Sequence, residues 1–228
     1  MHVRFPTPLH GWRVFAGEVG TIVLGVLLAL GAQEMVQSLH WRSEVKETRK
    51  ALDAEVARDL AAFDYRYRNR RCSAERLSEL RRWADSLARG KPLPLRHEVD
   101  EPPYFSIRTA AWEITDGEIA SRIPLKAKLN YAALYDGLRK FDQAKNDEFE
   151  AWGTLNEYES LTRADAADLR AIKRAIKDIE DVNTILDPFK SAFERFSGEL
   201  GIQPQRKLEG ADSPLLLQWQ KEACSPLL

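Results

Sequence analysis

The sequence predicts an all-α protein in which an N-terminal transmembrane helix continues into a long helix and packs in an antiparallel bundle of three to four helices. Three observations lead to this prediction. A long apolar run stands near the start of the chain, later apolar residues recur at helical spacings, and almost no segment shows the alternation of a strand. The 228 residues suit one domain with an accessory segment, and an apolar fraction of 44% is enough for a buried core.

The charge balance argues against a nucleic-acid binder. The chain carries 34 Lys and Arg against 35 Asp and Glu, so its net charge is −1. Affinity for nucleic acid comes largely from an excess of positive charge. We therefore expect no nucleic-acid partner. The partners we expect are a lipid bilayer and either further copies of the chain or another membrane protein.

The apolar run from Val14 to Ala32 predicts the transmembrane helix. It contains a single charge, Glu18, and a membrane-spanning helix needs roughly 20 mainly apolar residues. We place the anchor at residues 14–36, after a short tail at 1–13. Two alternatives stay open, namely a buried core helix of a soluble protein and a cleaved signal peptide.

Aromatic and basic residues mark both ends of the run. Trp12 and Trp41 are 29 residues apart, which is about 43 Å along a helix and close to the bilayer thickness of about 40–45 Å with its headgroups. Trp is enriched at both membrane–water interfaces. The interface anchors that we expect are Trp12, Arg13, His40, Trp41 and Arg42.

Small residues recur at every fourth position inside the run. Gly17, Thr21, Gly25 and Ala29 therefore share one helix face. Small side chains allow a second helix to approach closely in a membrane, so we expect this face to associate with another copy or another membrane protein. The alternative stays open that Gly and Ala are simply common in membrane helices.

The two cysteines, Cys72 and Cys224, suggest a disulfide. An even pair in an exported domain is typical of one bond. Closing a loop of about 150 residues would contribute at most about 5 kcal/mol in the chain-entropy model. Two free thiols in a reducing compartment are the alternative. The cysteines favour export of the domain, whereas the count of Lys and Arg on either side of the run slightly favours the cytoplasm.

Residues 37–201 are predicted to form the bundle domain. An apolar stripe over 45–67 continues the anchor as a long helix, which ends at Gly90 ahead of two prolines. An unbroken helix and a break within 69–73 stay open. A proline-rich loop follows, and then a short helix over 106–115.

A further helix is predicted to begin at Pro124, because proline fits the first turn of a helix. Lys145 and Glu148 interrupt its apolar stripe, as either a solvated stretch or a polar contact inside the bundle. The stripe consists of Tyr131, Leu134, Leu138, Phe141, Trp152 and Leu155.

The last long helix is predicted after Thr162, which with Asp165 resembles a capping box. A kink or restart is expected at Asp187-Pro188, Gly201 ends the helix, and 202–228 form a C-terminal tail. The apolar seam of this helix repeats every seven residues, as in a helix packed in a bundle. Its members are Ile172, Ile179, Leu186, Phe193 and Leu200.

No set of catalytic or metal-binding residues stands out in the sequence. The segment from His97 to Glu101 lacks the second His of the zinc-protease motif, and it lies in a proline-rich loop rather than on a helix. We find neither a phosphate-binding glycine loop nor the sequence motif of a Ser or Cys nucleophile. We therefore predict a protein that is not an enzyme, with no catalytic residue, metal site or cofactor.

Seven arginines and only two glutamates fall in the stretch that begins at Arg66. Arg pairs with carboxylate and phosphate groups in a bidentate way. Arg66, Arg68, Arg70 and Arg71 are therefore a candidate patch for an acidic or phosphorylated partner. The alternative is a solvated or salt-bridged helix face, which includes pairing with the acids of 142–150.

The N-terminal segment combines a Gly-Glu pair, an apolar stretch ending in Ala-Leu, and a Trp followed by charged residues. The matching residues are Phe15-Ala16-Gly17-Glu18-Val19-Gly20, Ala29-Leu30-Gly31-Ala32-Gln33, Trp41, Arg42 and Glu44. This combination resembles the anchor of bacterial single-pass membrane proteins of unknown function. Thr109-Ala110-Ala111-Trp112 and Tyr131-Ala132-Ala133-Leu134-Tyr135 resemble their helical domains more loosely. The resemblance implies a bacterial inner-membrane protein, and the cysteines favour a periplasmic over a cytoplasmic domain.

We therefore expect a non-enzymatic single-pass membrane protein that acts by protein–protein interaction or scaffolding. The alternative function is a membrane-anchored sensor or ligand-binding module, whose bundle opens around a small molecule. A cavity lined by Trp112, Tyr135 and Trp152 would favour this alternative.

Overall fold

The computed structural model describes residues 11–115 and 117–228, and all the regular structure in this part of the chain is helical. The all-α class is confirmed, as is the N-terminal helix that continues into a long helix. The helices of the described residues are α1 (Gly11–Arg68), α2 (Arg70–Ala88), α3 (Ala110–Glu113), α4 (Gly117–Arg122), α5 (Leu125–Tyr158), α6 (Ala166–Leu200) and α7 (Pro214–Ala223).

Helix α1 contributes to two compact units. The first unit ends at Thr48, and the second comprises Arg49–Leu228. We predicted the boundary between anchor and domain at 36/37, at the end of the apolar run. This boundary stays a prediction. The first turns beyond the run are still largely exposed, and full burial begins at Leu52.

Three helical rods build the second unit: the end of α1 with α2, then α5, then α6. Asp53 bonds to Tyr131 at one height and Arg66 bonds to Glu148 at another, so α1 and α5 run parallel. Helix α6 returns from α5 through a short turn, and its Asn183 meets Arg66 at the same height. The bundle is therefore antiparallel between α6 and the other two rods.

Helices α1 and α5 can run parallel because a long connection without regular structure lies between α2 and α3. This return strap, residues 89–109, contains four prolines, which remove backbone donors and disfavour helix. The Val99 N–H donates to the Glu159 carboxylate near the far end of α5. Just beyond the strap, the Ala111 N–H donates to Glu55 near the opposite end. The strap thus carries the chain back along the bundle, so the short helix expected over 106–115 contracts to α3.

The predicted apolar stripes form the core. On α6, the heptad residues Ile172, Ile179, Leu186 and Phe193 are buried, whereas Leu200 is half-buried at the helix end. A Cβ atom on Gly137 of α5 would lie 2.7 Å from a ring carbon of Phe193, so only glycine permits this close approach. The stripe of α5 is buried throughout, at Tyr131, Leu134, Leu138, Phe141, Trp152 and Leu155.

The ends of α6 differ in one respect from the prediction. The N-cap is Asp165, which accepts bonds from two backbone N–H groups, and Asp168 accepts from the Asp165 N–H in return at 2.9 Å. The capping box is therefore one turn later than the predicted Thr162–Asp165 pair, because the reciprocal acceptor is Asp168. The helix continues through Pro188 without a restart, and it ends at Gly201 with φ of 74°.

A single turn residue, Asn69, separates α1 from α2, which is the break that the sequence left as an alternative.

Residues 202–228, expected to be a tail, lie along α1 and α2. The Gln205 N–H donates to the Ala57 carbonyl at 2.7 Å, and the Leu227 N–H donates to the Glu79 carboxylate at 2.7 Å. Helix α7 lies between these two contacts. The segment stays packed on the domain because single apolar residues along its whole length are buried. Their irregular spacing has no helical period, so the sequence did not predict this packing. The buried members are Ile202, Leu208, Ala223 and Leu227.

Candidate functional site

The first unit presents an apolar helix whose side chains are exposed on every side. Every residue from 11 to 37 is exposed, including Ile22 at 67% and Leu28 at 66%. A helix that is apolar all round has no polar face to turn toward water. By length and composition, α1 is the one helix of the described residues that could cross a membrane. The prediction of a candidate membrane helix near the N-terminus is confirmed at this level.

The small-residue face of that helix is open. A Cβ atom added to Gly17 or Gly25 would meet nothing within 4 Å. The Thr21 hydroxyl donates to the Gly17 carbonyl at 2.9 Å, so its polar group is satisfied within the helix. With Ala29, these residues leave a shallow stripe on the exposed helix. Association through this face stays a prediction.

The predicted interface anchors flank the apolar helix. At its start, the Trp12 ring centroid lies 5.7 Å from that of Phe15. Beyond its end, His40 Nε2 lies 3.1 Å from a Glu44 carboxylate oxygen, and the His40 ring centroid lies 5.7 Å from that of Trp41. Amphipathic rings beside basic groups suit a headgroup region. The exposed members of the predicted set are Trp12, Arg13, His40 and Arg42.

The predicted arginine patch divides between interior and surface, and Arg66 belongs to the interior. Its Nε and Nη2 donate to the two carboxylate oxygens of Glu148 at 2.9 and 2.6 Å. Its Nη2 also donates to Asn183 at 2.9 Å. Because Arg66 and Glu148 are both buried, Arg66 cannot bind an external acid, and the alternative of pairing with the acids of α5 holds for this residue.

The other three arginines lie in three different surface settings. The Arg70 guanidinium lies 3.8 Å from the centroid of the Tyr67 ring. Arg71 pairs with Glu75 one turn away at 3.0 Å. Arg68 is exposed and forms no ion pair within the described residues. The four-residue patch is therefore incomplete, because the helix turns its first member toward the core.

Arg66 and Glu148 belong to a buried polar layer to which all three rods contribute. Trp152 Nε1 donates to Glu148 at 3.4 Å, and Asn183 donates to the Ser73 hydroxyl at 3.2 Å. Displacing one rod along another by a turn would leave buried charges unpaired, which is strongly unfavourable. The layer therefore favours a single register of the helices.

Lys145 is the second interruption of the α5 stripe, and it too is a contact inside the domain. The residue is 4% exposed. Its Nζ lies 2.7 Å from Asp142 and 4.6 Å from the centroid of the Tyr104 ring in the return strap. Of the two interpretations left open for Lys145 and Glu148, the polar contact inside the bundle is the observed one.

Carboxylates on α1 hold the return strap, a role that the sequence analysis missed. The fully buried carboxylate of Asp59 accepts the Arg108 N–H at 3.1 Å and the Arg58 guanidinium at 2.6 Å. Burial raises the pKa of Asp59 to about 6, against the opposing effect of these two donors. Glu55 accepts the Ala111 N–H at 3.1 Å. The available signal was two acids, one turn apart, on an otherwise apolar face.

Two tyrosines of α5 donate to acids of α1. Tyr131 donates to Asp53, and burial raises the pKa of Tyr131 to about 12. Tyr135 donates to Glu55 at 2.8 Å, and burial also raises the pKa of Tyr135. Both phenols therefore stay protonated at neutral pH and tie α5 to α1.

The three aromatics named for a ligand cavity do not gather around one space. Trp112 stacks on Tyr135 with ring centroids 5.2 Å apart. Trp152 lies instead in an apolar cluster with Trp83 and Leu155. The arrangement that would have favoured a sensor is therefore not the one observed.

The structure joins Cys72 of α2 to Cys224 at the end of α7 by a disulfide, with Cα atoms 5.2 Å apart. Beside it, the buried Arg76 donates to the carbonyls of Glu222 and Ala223 at 3.1 and 2.9 Å. A covalent bond and two charge-assisted hydrogen bonds thus hold the C-terminal segment on α2. The sequence placed Arg76 in a charge run and gave no signal of this role.

No protein-family model, curated protein or solved structure matches the chain. The resemblance of its anchor to bacterial single-pass membrane proteins stays a prediction.

Proposed function

We propose that this chain is a single-pass bacterial inner-membrane protein whose helical domain lies in the periplasm and acts through protein–protein contacts. The observation that carries the proposal is the exposure of every residue from 11 to 37 on a helix that is apolar on all sides. Water is a poor solvent for such a surface, whereas acyl chains solvate it and leave no backbone group unpaired in a helix.

The buried charged groups of the domain support a role in contacts rather than in chemistry. Arg66 and Glu148 pair with each other, Asp59 binds the backbone of the return strap, and Arg76 binds the C-terminal backbone. Each of these charged side chains joins one segment of the fold to another. The large surfaces left over are helix faces, and these are the surfaces through which helical proteins recognise one another.

The disulfide supports an oxidising compartment. Cys224 is exposed in the folded domain, so a reducing cytoplasm would have access to the bond. Disulfides persist mainly in exported domains. The periplasm is therefore the compartment in which the observed connection between α2 and α7 would last.

Thiol chemistry in intact cells tests the compartment. We expect the wild-type chain to resist alkylation and to change its gel mobility on reduction, and we expect Cys72→Ser to abolish that change. A reporter enzyme that works only in the periplasm should be active when it is fused after Leu228, whereas one that works only in the cytoplasm should be inactive. If the reduced and non-reduced wild-type chains had equal gel mobility and both thiols reacted with the alkylating reagent, export would be contradicted.

Assembly in a mild detergent tests the role in contacts. We expect the solubilised chain to sediment as an assembly larger than a monomer, and Gly25→Ile to weaken that assembly by blocking close approach of a second helix. Ala16→Ile is the control, because Ala16 lies on the side of the helix opposite Thr21, Gly25 and Ala29. A strictly monomeric chain in native membranes, with no partner co-sedimenting, would contradict the role in contacts.

A further inference from the structure

Helices α5 and α6 form a groove whose floor includes core residues, since Ala151 and Ala175 belong to the buried apolar cluster. Its volume is about 690 Å³. The floor is built mainly from small side chains: Ala144, Ala151 and Thr154 on α5 and Ala171 and Ala175 on α6. Small residues on two neighbouring helices leave room for the side chains of a third helix to interdigitate.

The groove follows a second heptad pattern that the sequence analysis did not use. On α6 it comprises Ala171, Ala175, Asp178, Val182 and Ile185, at alternating steps of four and three. Ala175 and Val182 are themselves buried, whereas Asp178 and Ile185 are exposed. The steps of four and three are those of a seam between packed helices, yet Ile185 on this seam is 37% exposed.

The second seam continues across α5 with the same spacing. Ala144, Asp147, Ala151 and Thr154 are separated by steps of three, four and three. The α6 part of the seam spans about four helical turns, or about 21 Å at about 1.5 Å per residue. The two neighbouring half-seams have the length and spacing that one further helix would need.

The rim of the groove is acidic. Four acids line it against the single base Arg174, and Glu150 and Asp178 form no ion pair within the described residues. A second copy that packed its own groove against this one would bring acids against acids, which opposes association. The charge favours an occupant with basic flanks. The four acids are Asp147, Glu150, Asp178 and Asp181.

We infer that the α5–α6 groove docks a helix of another protein, with small or apolar residues along one face and Lys or Arg on both flanks. This inference rests on the proposed function, since it names the surface through which the domain makes its contacts. The docked helix would place its apolar face over the alanines and its basic side chains against the acidic rim.

The test uses the full chain in nanodiscs of zwitterionic lipid, which do not attract a basic peptide by charge. The probe is a fluorescent synthetic helix with a heptad stripe of Ala and Leu flanked by Lys. We expect Glu150→Lys with Asp178→Lys to weaken binding at least about tenfold, which corresponds to about 1.4 kcal/mol. We expect Ala171→Trp to weaken binding similarly by filling the groove.

Two controls separate docking from general charge attraction. Asp85→Lys with Glu209→Lys makes the same change of net charge at exposed positions outside the groove, and it should change affinity less than about twofold. A peptide with Glu in place of Lys should prefer the Glu150→Lys, Asp178→Lys chain. Circular dichroism and the presence of the disulfide establish that each variant is folded.

Three results would overturn the inference. The first is no binding of the basic peptide to the wild-type chain, and the second is equal weakening by the control pair. The third is a wild-type dimer that Ala171→Trp dissociates, because the groove would then bind a second copy. None of these results removes the chain from the membrane or abolishes its assembly with other partners, so the proposed function would fail separately.

Discussion

Helix α1 has two regions that are both apolar but arranged differently. From residue 11 to residue 37 the apolar side chains surround the helix, and all are exposed. From Leu52 onward they lie on one face, and Leu52, Val56, Leu60 and Phe63 are buried. The backbone is the same α-helix in both regions, so the distribution of side chains decides which surroundings each region suits.

The number of apolar residues in a helix and their distribution around it therefore indicate different things about its surroundings. A one-sided stripe is satisfied by neighbouring helices and leaves the opposite face in water. A helix that is apolar all round needs an apolar solvent or several partners. The two regions therefore predict different consequences of mutation: changes in the first should alter location, whereas changes in the second should alter the stability of the domain.

The largest effect is expected at the buried charge of the second region. Arg66→Met leaves Glu148 charged and unpaired in the core, and we expect the free energy of unfolding to fall by about 3–5 kcal/mol. Replacing both partners, as in Arg66→Met with Glu148→Leu, should restore most of that loss. Urea unfolding of the detergent-solubilised chain measures both values. In the first region, Glu18→Gln should leave the free energy of unfolding of the domain unchanged. A decrease as large as that of Arg66→Met would show that the first region also stabilises the domain.

The next effect compares one leucine from each region. Leu52→Ala removes a fully buried side chain, and we expect it to lower the free energy of unfolding by about 2–5 kcal/mol. Leu27 is 60% exposed, and Leu27→Ala should change the same quantity by less than about 0.5 kcal/mol. Equal losses at the two positions would show that the first region is packed within the domain.

The smallest effect is the pH dependence that Asp59 contributes. Because burial raises the pKa of Asp59 to about 6, above its ordinary value of 3.8, the folded domain binds this proton more tightly than the unfolded chain. Stability from this carboxyl is fully present below pH 3.8 and is lost as the pH rises through 6. The gain between pH 7.5 and 4 is at most about 3 kcal/mol.

The pH effect is measured as the difference between the wild-type chain and Asp59→Asn in urea unfolding at several pH values. Asn keeps an acceptor for the Arg108 N–H but cannot titrate. An identical pH dependence of the two proteins would contradict the raised pKa.

The sequence predicted best those features that depend on spacing along one helix. The heptads of α6 and the stripe of α5 are local patterns, and their buried faces followed from them. For Arg66 the sequence left two alternatives open, an acidic partner and pairing with the acids of 142–150, because its partner Glu148 lies 82 residues away. The pairing became visible only when the direction of the rods was known.

The return strap and the C-terminal segment were harder to predict for a related reason. Their contacts join single backbone N–H groups to carboxylates, as at Asp59 and Glu79, and such contacts have no period. The groove on α5 and α6 is an intermediate case. Its steps of four and three are present in the sequence, but the groove shares Ala175 and Val182 with the core of the domain, so the pattern gives no separate signal.

Alkaline carbonate extraction of membranes from cells that express the full chain tests whether acyl chains solvate the first part of α1. Carbonate strips proteins held only by surface contacts, whereas a helix solvated by acyl chains stays in the bilayer. We expect the intact chain to stay in the membrane pellet and to leave it only with detergent. Recovery of the unprocessed chain in the aqueous fraction, without detergent, would contradict this expectation.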